Sequence, residues 1–430
     1  MQTMLSEFDY FMPTMQQAAI TAQYYDEVAP SNPLNSTQAN PLSTLEFKIP
    51  ASADLYRDLG NTFLMVKCKI VKADGSNLDQ DAAIAPTNLI AHSMWSNVQV
   101  NLCGKDLSDK DSLYPYRAIF ETLLTYDKNV QETRCLLEGF AKDDAGKMDS
   151  LVVDGTGNSG FMKRRAMAAL SRTFTMYMRP HVDLFHQALL IPPNCALNVK
   201  FTPSTMEFAI MEDGGGTSKI VLLDAKMYVM TKKVSPELIL AQKEMLGETN
   251  MRFHMNRVIM QRYGIAQGFK SLGIPLSFPG KLPKRIFLAF ASNGGVTGNR
   301  ALNPFNFTHF NVENMTLTVN GVEQGYKQLN FNAGDYQSAY LNLLGALGID
   351  VADRSINITT DDYPGGYTIY GFQIAPGPID GVVQTVANSI GSIVANVTFG
   401  VAPTTNVDLL VYAETPGLLE LDKLSAVSVM

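Results

Sequence analysis

Short runs of alternating apolar and polar residues dominate the chain. Leu45-Glu-Phe-Lys-Ile49, Thr173-Phe-Thr-Met-Tyr-Met178 and Ala225-Lys-Met-Tyr-Val229 change polarity at nearly every step, and Phe63-Leu-Met-Val-Lys-Cys-Lys-Ile70 does so from Val66 onward. That is the period of a strand with one face buried. Between such runs lie turn-forming clusters: Ala73-Asp-Gly-Ser-Asn77, Ile191-Pro-Pro-Asn194, Asp213-Gly-Gly-Gly216 and Asn293-Gly-Gly295. Many short strands with Gly/Pro turns predict β-sandwiches rather than a parallel α/β sheet. Helical spacing is confined to a few places. Over 116–124 it puts Ile119, Phe120, Leu123 and Leu124 on one stripe; over 338–344 it does the same with Tyr340, Leu343, Leu344 and then Leu347.

The two helical stripes belong to a longer repeat. Asn97-Val-Gln-Val-Asn-Leu-Cys-Gly104 has the pattern of Asn314-Met-Thr-Leu-Thr-Val-Asn-Gly321, and each is followed by one of the helices. Further on, Asn198-Val-Lys-Phe201 matches Asn396-Val-Thr-Phe399. The order strand, helix, strand therefore recurs, and duplication is the economical explanation. Between the copies, Ser235-Pro-Glu237 has the form of a helix start and Gly247 that of a stop. The predicted organisation is an amino-terminal arm over 1–40 and a first sandwich over 41–234, with a helical insertion near 114–140. A helical connector follows over 235–250, then a second sandwich over 251–415 with a helix near 336–347, and a tail over 416–430.

Composition narrows the function. The 430 residues carry 34 basic and 41 acidic side chains, a net charge of −7. The balance argues against nucleic acid as the main partner, because phosphate binding needs a dense basic face. Charged residues are only 17% of the chain, against about a quarter in ordinary soluble proteins. Such a low share is expected where subunits cover one another's surfaces. The first ten residues lack the basic end and apolar run of a signal peptide. The uncharged stretch 381–407 is rich in Gln, Asn, Ser and Thr, so neutral strands are expected there and not a membrane helix. Cysteines 68, 103, 135 and 195 are too scattered for a metal motif and are expected as small buried hydrophobes in a reducing compartment. Without a secretory signal, the sequons at Asn306 and Asn357 are expected to stay unmodified.

No catalytic constellation emerges. Gly155-Thr-Gly-Asn-Ser-Gly160 has dinucleotide-loop spacing between strand-like Leu151-Val-Val-Asp154 and helix-like 161–170. The chain returns to period two by Thr173, so the parallel sheet such a loop serves is not predicted, and a flexible loop is. Asp213-Gly-Gly-Gly-Thr-Ser-Lys219 lacks the Gly-Lys-Ser/Thr ending of a phosphate loop. Histidines 92, 181, 186, 254 and 309 show no ligand spacing; His181 and His186 are expected as a loop or interface pair. Asp143-Asp144 and Asp361-Asp362, next to Gly or Pro, are expected as solvated turns. Lys163-Arg-Arg165, Lys232-Lys233 and Lys284-Arg285 are expected at salt-bridging surface or interface positions. No nucleophile elbow is present. The expected catalytic, cofactor-binding and metal sites are none.

The chain resembles the double jelly-roll major capsid (hexon-like) proteins of Maverick/Polinton elements and adintoviruses. The segments that carry the resemblance are Leu113-Tyr-Pro-Tyr-Arg-Ala-Ile-Phe-Glu-Thr-Leu-Leu124, Met227-Tyr-Val-Met-Thr-Lys-Lys-Val-Ser-Pro236, Asn303-Pro-Phe-Asn-Phe-Thr-His-Phe-Asn-Val312 and Pro364-Gly-Gly-Tyr-Thr-Ile-Tyr370. Phe11-Met-Pro-Thr-Met-Gln16 and Leu418-Leu-Glu-Leu-Asp-Lys-Leu424 are similar to the family's ends. The resemblance implies an all-β chain of two tandem eight-stranded jelly rolls with short inserted helices. It implies pseudo-hexameric homotrimers that tile an icosahedral shell, trimer–trimer contacts, and a single jelly-roll penton protein as partner. The implied location is the virion, with no transmembrane segment and no catalytic residue. Two alternatives remain at this point. A penton-type minor capsid protein needs only half this length. A duplicated-cupin enzyme or lectin should bring clustered His and Glu ligands or exposed aromatics, and Trp95 is the sole tryptophan.

Overall fold

The computed structural model describes residues 19–32, 34, 42–108, 111–213, 215–278, 281–375 and 390–429. The first half holds strands β1 (Ile20–Val28), β2 (Leu45–Ile49), β3 (Leu55–Val71), β4 (Trp95–Leu102), β5 (Lys105–Asp106), β6 (Phe174–Met178), β7 (Leu197–Pro203) and β8 (Lys219–Val234). The second holds β9 (Met251–Ile265), β10 (Ser271–Leu276), β11 (Arg285–Ser292), β12 (Val312–Val319), β13 (Val322–Tyr326), β14 (Ile369–Gln373), β15 (Ile393–Phe399) and β16 (Val407–Leu421). The four longer helices are α1 (Tyr114–Thr125), α2 (Ser159–Ala168), α3 (Pro236–Glu248) and α4 (Gln337–Leu347).

The sheets repeat strand for strand. The first half pairs β1-β8-β3-β6 in one sheet and β2-β7-β4-β5 in the other. The second pairs β9-β16-β11-β14 and β10-β15-β12-β13, the same order displaced by one set of strands. Each matched motif falls on equivalent elements: β4 with β12, α1 with α4, β7 with β15. Alternation is cleanest in the strands that face solvent on one side. Leu45, Phe47 and Ile49 of β2 point inward beside Leu197, Val199 and Phe201 of β7.

Four expectations need correction. Residues 20–28 are no free arm. They form β1, which runs antiparallel to β8 from Ile20↔Val234 to Val28↔Met227. Its side chains are mostly exposed, so backbone bonds hold it and little apolar signal marks it. Residues 1–18 and 35–41 lie outside the described residues. Nor is the region after 415 a loose tail: β16 continues to Leu421, and Val427–Val429 pairs back on Leu419–Leu421. Leu151–Asp154 forms no strand, and Asn293–Thr297 is a short helix with Ser292 capping Gly295. Of the uncharged stretch, 393–399 and 407 are strand, while 381–389 lies outside the described residues.

Helix α3 runs from Pro236 through Gly247 to Glu248 between the halves, with none of its residues buried. The cores are not separate. Tyr116, Ile119, Phe120 and Leu123 of α1 belong to the apolar core of the second sandwich, while Phe253, Leu419 and Leu421 enter that of the first. Phe120 stacks on Tyr412 of β16 at 5.7 Å and meets Phe307 at 5.3 Å. This covering explains why Ile286–Ala291 is one buried apolar run with no alternation: both faces of β11 are dry.

Candidate functional site

The densest polar chemistry among the described residues lies where the insertion between β5 and β6 meets the second half. Asp143 is 1% exposed, and its carboxylate accepts four hydrogen bonds. Oδ1 takes Asn158 Nδ2 at 2.7 Å and Arg164 Nη1 at 2.9 Å; Oδ2 takes Asn303 Nδ2 at 3.0 Å and Asn88 Nδ2 at 3.1 Å. Arg164 also donates to the carbonyls of Pro86 and Ala141. A buried ion pair with every lone pair engaged holds position, whereas a half-satisfied one would be costly. The solvated-turn expectation for Asp143, and the surface one for Arg164, are thus corrected. Local composition gave no hint that both are buried against one another.

The second half docks on this point. Tyr367 Oη donates to the Asp143 carbonyl at 2.7 Å, and Asp149 accepts from Asn303 N and Asn306 Nδ2 at 2.6 and 2.7 Å. Burial pushes the Asp149 carboxyl up. Lys142 pairs with Asp362 at 2.6 Å, so Asp362 is a cross-link between the halves and not a plain turn. Gly146 N donates to Gly365 O at 2.7 Å. Gly366, at φ +113°, leaves no room for a Cβ, which would stand 2.1 Å from Met148 Sδ. The segments 303–312 and 364–370, which carry the family resemblance, are therefore the ones that close the junction. The sequon residues Asn306 and Asn357 are engaged here too, Asn357 with Gln131 at 3.1 Å.

Both glycine-rich loops are structural. Asn158 caps α2 through Gly160 N while its amide reaches Asp143. A Cβ on Gly157 would meet Val152 O at 2.3 Å and one on Gly160 would meet Lys142 O at 2.5 Å. The loop is packed at Gly157 and Gly160, while Asp154–Thr156 stay exposed. In the second, Gly216 lies against Glu212, whose carboxylate takes Ser218 N at 3.0 Å and the Arg300 guanidinium.

A second buried cluster sits under α1. Glu121 receives Arg117 at 2.8 Å, His181 Nδ1, and His186 Nε2 at 3.4 Å. Burial pushes the Glu121 carboxyl up, but Arg117 and the two histidines outweigh it and hold it well below the usual range. Burial drives His186 down to about 3. Arg117 also binds Asp183 at 2.6 Å, and Asp183 accepts Val258 N of β9 at 3.2 Å, a further cross-link. His92 Nδ1 contacts Tyr114 Oη at 2.9 Å, and its Nε2 faces Glu138 at 3.7 Å. The structure thus brings His181 and His186 together as expected of a pair, and adds His92, Glu121 and Glu138, which chain spacing did not connect. The one sequence signal was Arg117 and Glu121, an i,i+4 ion pair on an otherwise apolar helix. His254 is exposed and His309 stacks on Phe331 at 4.3 Å. Cys68, Cys135 and Cys195 are buried, and Trp95 is fully buried and offers no exposed ring.

A chain of the Sputnik virophage structure superposes with a TM-score of 0.66 at 14% identity, covering 99% of this chain and 91% of that one. The fold is a double jelly roll. The mavirus major capsid protein matches at TM-score 0.55 and 13% identity, covering 99% and 95% of the two chains. The Faustovirus major capsid protein matches at 0.57 and 10%, covering 95% and 92%. In sequence, an uncharacterized protein of Caenorhabditis elegans is 24% identical over 349 residues, 77% of this chain and 80% of that protein. No family profile matches.

Proposed function

We propose that the chain is a major capsid protein of a Maverick/Polinton-like element, assembling as pseudo-hexameric homotrimers that tile an icosahedral shell in the virion. The observation that carries this reading is the end-to-end match in fold: viral chains, among them two major capsid proteins, cover 95–99% of this one. Two sandwiches in one chain suit the tiling role, since three copies present six similar lobes; a vertex role with a separate single jelly-roll penton protein would need one.

The surface supports self-association. Tyr25, Phe63, Tyr177 and Tyr228 form a cross-strand aromatic cluster on the outward face of the β1-β8-β3-β6 sheet, with Phe63 5.2 Å from both Tyr25 and Tyr228. Helix α3 exposes Leu240 and Met245. Tyr25 and Tyr177 are exposed and Phe63 and Tyr228 half-buried between them; an outward aromatic cluster on a chain poor in charge supports a surface that partners cover. No helix among the described residues is long and apolar enough to cross a membrane.

Light scattering on the purified chain, with electron microscopy of the same sample, tests the proposal. The expected result is a mass three times the 47.1 kDa of the chain and particles with a hexagonal outline. A stable monomer at micromolar concentration overturns it. Removal of residues 1–18 should leave trimers intact and weaken assembly, if that segment is the arm; removal of 1–40 takes β1 as well and should destabilise the first sandwich itself.

A further inference from the structure

We propose that His92, Glu138 and His181 form a structural binding site for a divalent transition-metal ion of the zinc class. One ligand atom from each lies within 4.8 Å of the others, and all three residues are buried. They come from three separate segments: a short helix at 90–93, a 3-10 turn at 134–138 and the loop after β6.

Two observations point to an ion. His92 Nε2 and Glu138 Oε2 are both fully enclosed and have no hydrogen-bond partner among the described residues. Orphaned buried groups of this kind call for a ligand, since leaving them bare is costly. They face each other at 3.7 Å, too far for a hydrogen bond. It is close to the separation of about 3.3–3.6 Å between two ligands on one tetrahedral ion with bonds near 2.0–2.2 Å. The other ring nitrogens are already occupied: His92 Nδ1 by Tyr114 Oη at 2.9 Å, and His181 Nδ1 by the Glu121 carboxylate. That is the arrangement by which metal-binding histidines are oriented, one nitrogen held by a carboxylate or hydroxyl while the other ligates.

The donor set selects the ion. Two imidazoles and one carboxylate suit zinc and its neighbours, whereas calcium and magnesium prefer oxygen ligands. A small cavity of about 40 Å³, lined by Tyr114, Arg117, His181 and Asp183, lies alongside. Of the three ligands only His181 lines it, so the ion position itself is walled by protein. By contrast the Glu121 carboxylate is already taken up by Arg117, His181 Nδ1 and His186 Nε2. Because 90–93, 134–138 and the loop after β6 together seat α1, an ion here would fasten the helix that joins the two cores. Chain spacing alone gave no metal site because the three ligands meet only through the fold.

Metal analysis of the full-length protein, stripped by chelation and equilibrated with zinc chloride, tests the site. About one zinc per chain is expected for the native sequence and for the exposed-histidine control His254→Gln, with a rise in Tm. His92→Gln and Glu138→Gln should each retain less than about a tenth of that. Wild-type stoichiometry in both variants overturns the assignment. Should either variant fail to fold, cobalt(II) added to the native chain decides the matter. Visible absorption of a tetrahedral nitrogen–oxygen site supports the proposal, and folded protein that takes up neither cobalt nor zinc overturns it.

Discussion

The two sandwiches share one strand order but fill the same connection in opposite ways. In the first half, residues 107–173 between β5 and β6 carry α1, α2 and a buried polar set built on Asp143, Arg164 and Glu121. In the second half, residues 327–368 between β13 and β14 carry α4 and a stack of aromatics, Phe331, Tyr336 and Tyr363. Burial holds Tyr363 and Tyr370 well above the usual phenol range, as befits a dry core. Helix α4 also stays at home. Leu343 and Ala346 lie so close to Gly371 of β14 that a Cβ there would meet Ala346 at 2.8 Å. Helix α1 instead crosses into the neighbouring core. The two sandwiches share a frame, and the connection in which they differ is the one that joins their cores.

Removing the centre of the polar insertion should have the largest effect. Asp143→Ala leaves Arg164 charged, buried and unpaired, which costs roughly 3–5 kcal/mol. The expected outcome in urea unfolding is a large fall in midpoint, or loss of soluble chain. Asp143→Asn, which keeps the shape, should cost less. A midpoint unchanged by Asp143→Ala would mean that the junction contributes nothing to holding the halves.

The crossing helix gives a second contrast. Phe120→Ala removes a ring shared between α1 and β16 and should cost about 3 kcal/mol, while Leu343→Ala on α4 should cost about 2–3 kcal/mol. The sharper difference is in cooperativity. With Phe120 gone, calorimetry should show the two halves melting apart; with Leu343 gone, a single transition should survive at lower Tm. Splitting by Leu343→Ala and not by Phe120→Ala would reverse the comparison.

How much of this was visible in the sequence follows the same division. Strands such as β2, β7 and β12 were legible because one face is wet and the other dry. β11 and the start of β16 show no alternation, since cover from another part of the chain dries their outer faces, and no local window contains that information. β1 failed for the opposite reason: Tyr24 and Tyr25 are over 40% exposed, and an edge strand held by backbone bonds leaves little pattern. At the junction, Asp143-Asp144 beside Gly146 has turn composition, and only the fold brings Arg164 and Asn303 to it. His92, Glu138 and His181 are equally silent, because ligands drawn from separate segments leave no spacing to read. Of the segments that carry the resemblance, α1, 303–312 and 364–370 make contacts with the other half, whereas 227–236 lies mainly on β8 and pairs with β1 and β3 of its own half.

The smallest expected effect concerns the exposed edge of the same junction, where Lys142 meets Asp362. Burial pushes the Asp362 carboxyl up, but Lys142 and the Thr359 amide and hydroxyl outweigh it, so its pKa lies below the model-peptide value of 3.8. A carboxyl lowered by folding contributes stability that is present above the unfolded pKa and disappears as pH falls through the folded one. Both side chains are about a quarter exposed, and solvent screening limits the pair to about 1 kcal/mol or less. Asp362→Asn should therefore lower the urea midpoint slightly at pH 7, and the gap to the native chain should close as pH drops below about 4. High salt should shrink the same gap, while the cost of Asp143→Ala, buried beyond the reach of counterions, should hardly change. Equal salt sensitivity at the two positions would show that the buried centre and the exposed rim of the junction are not the different environments their burial implies.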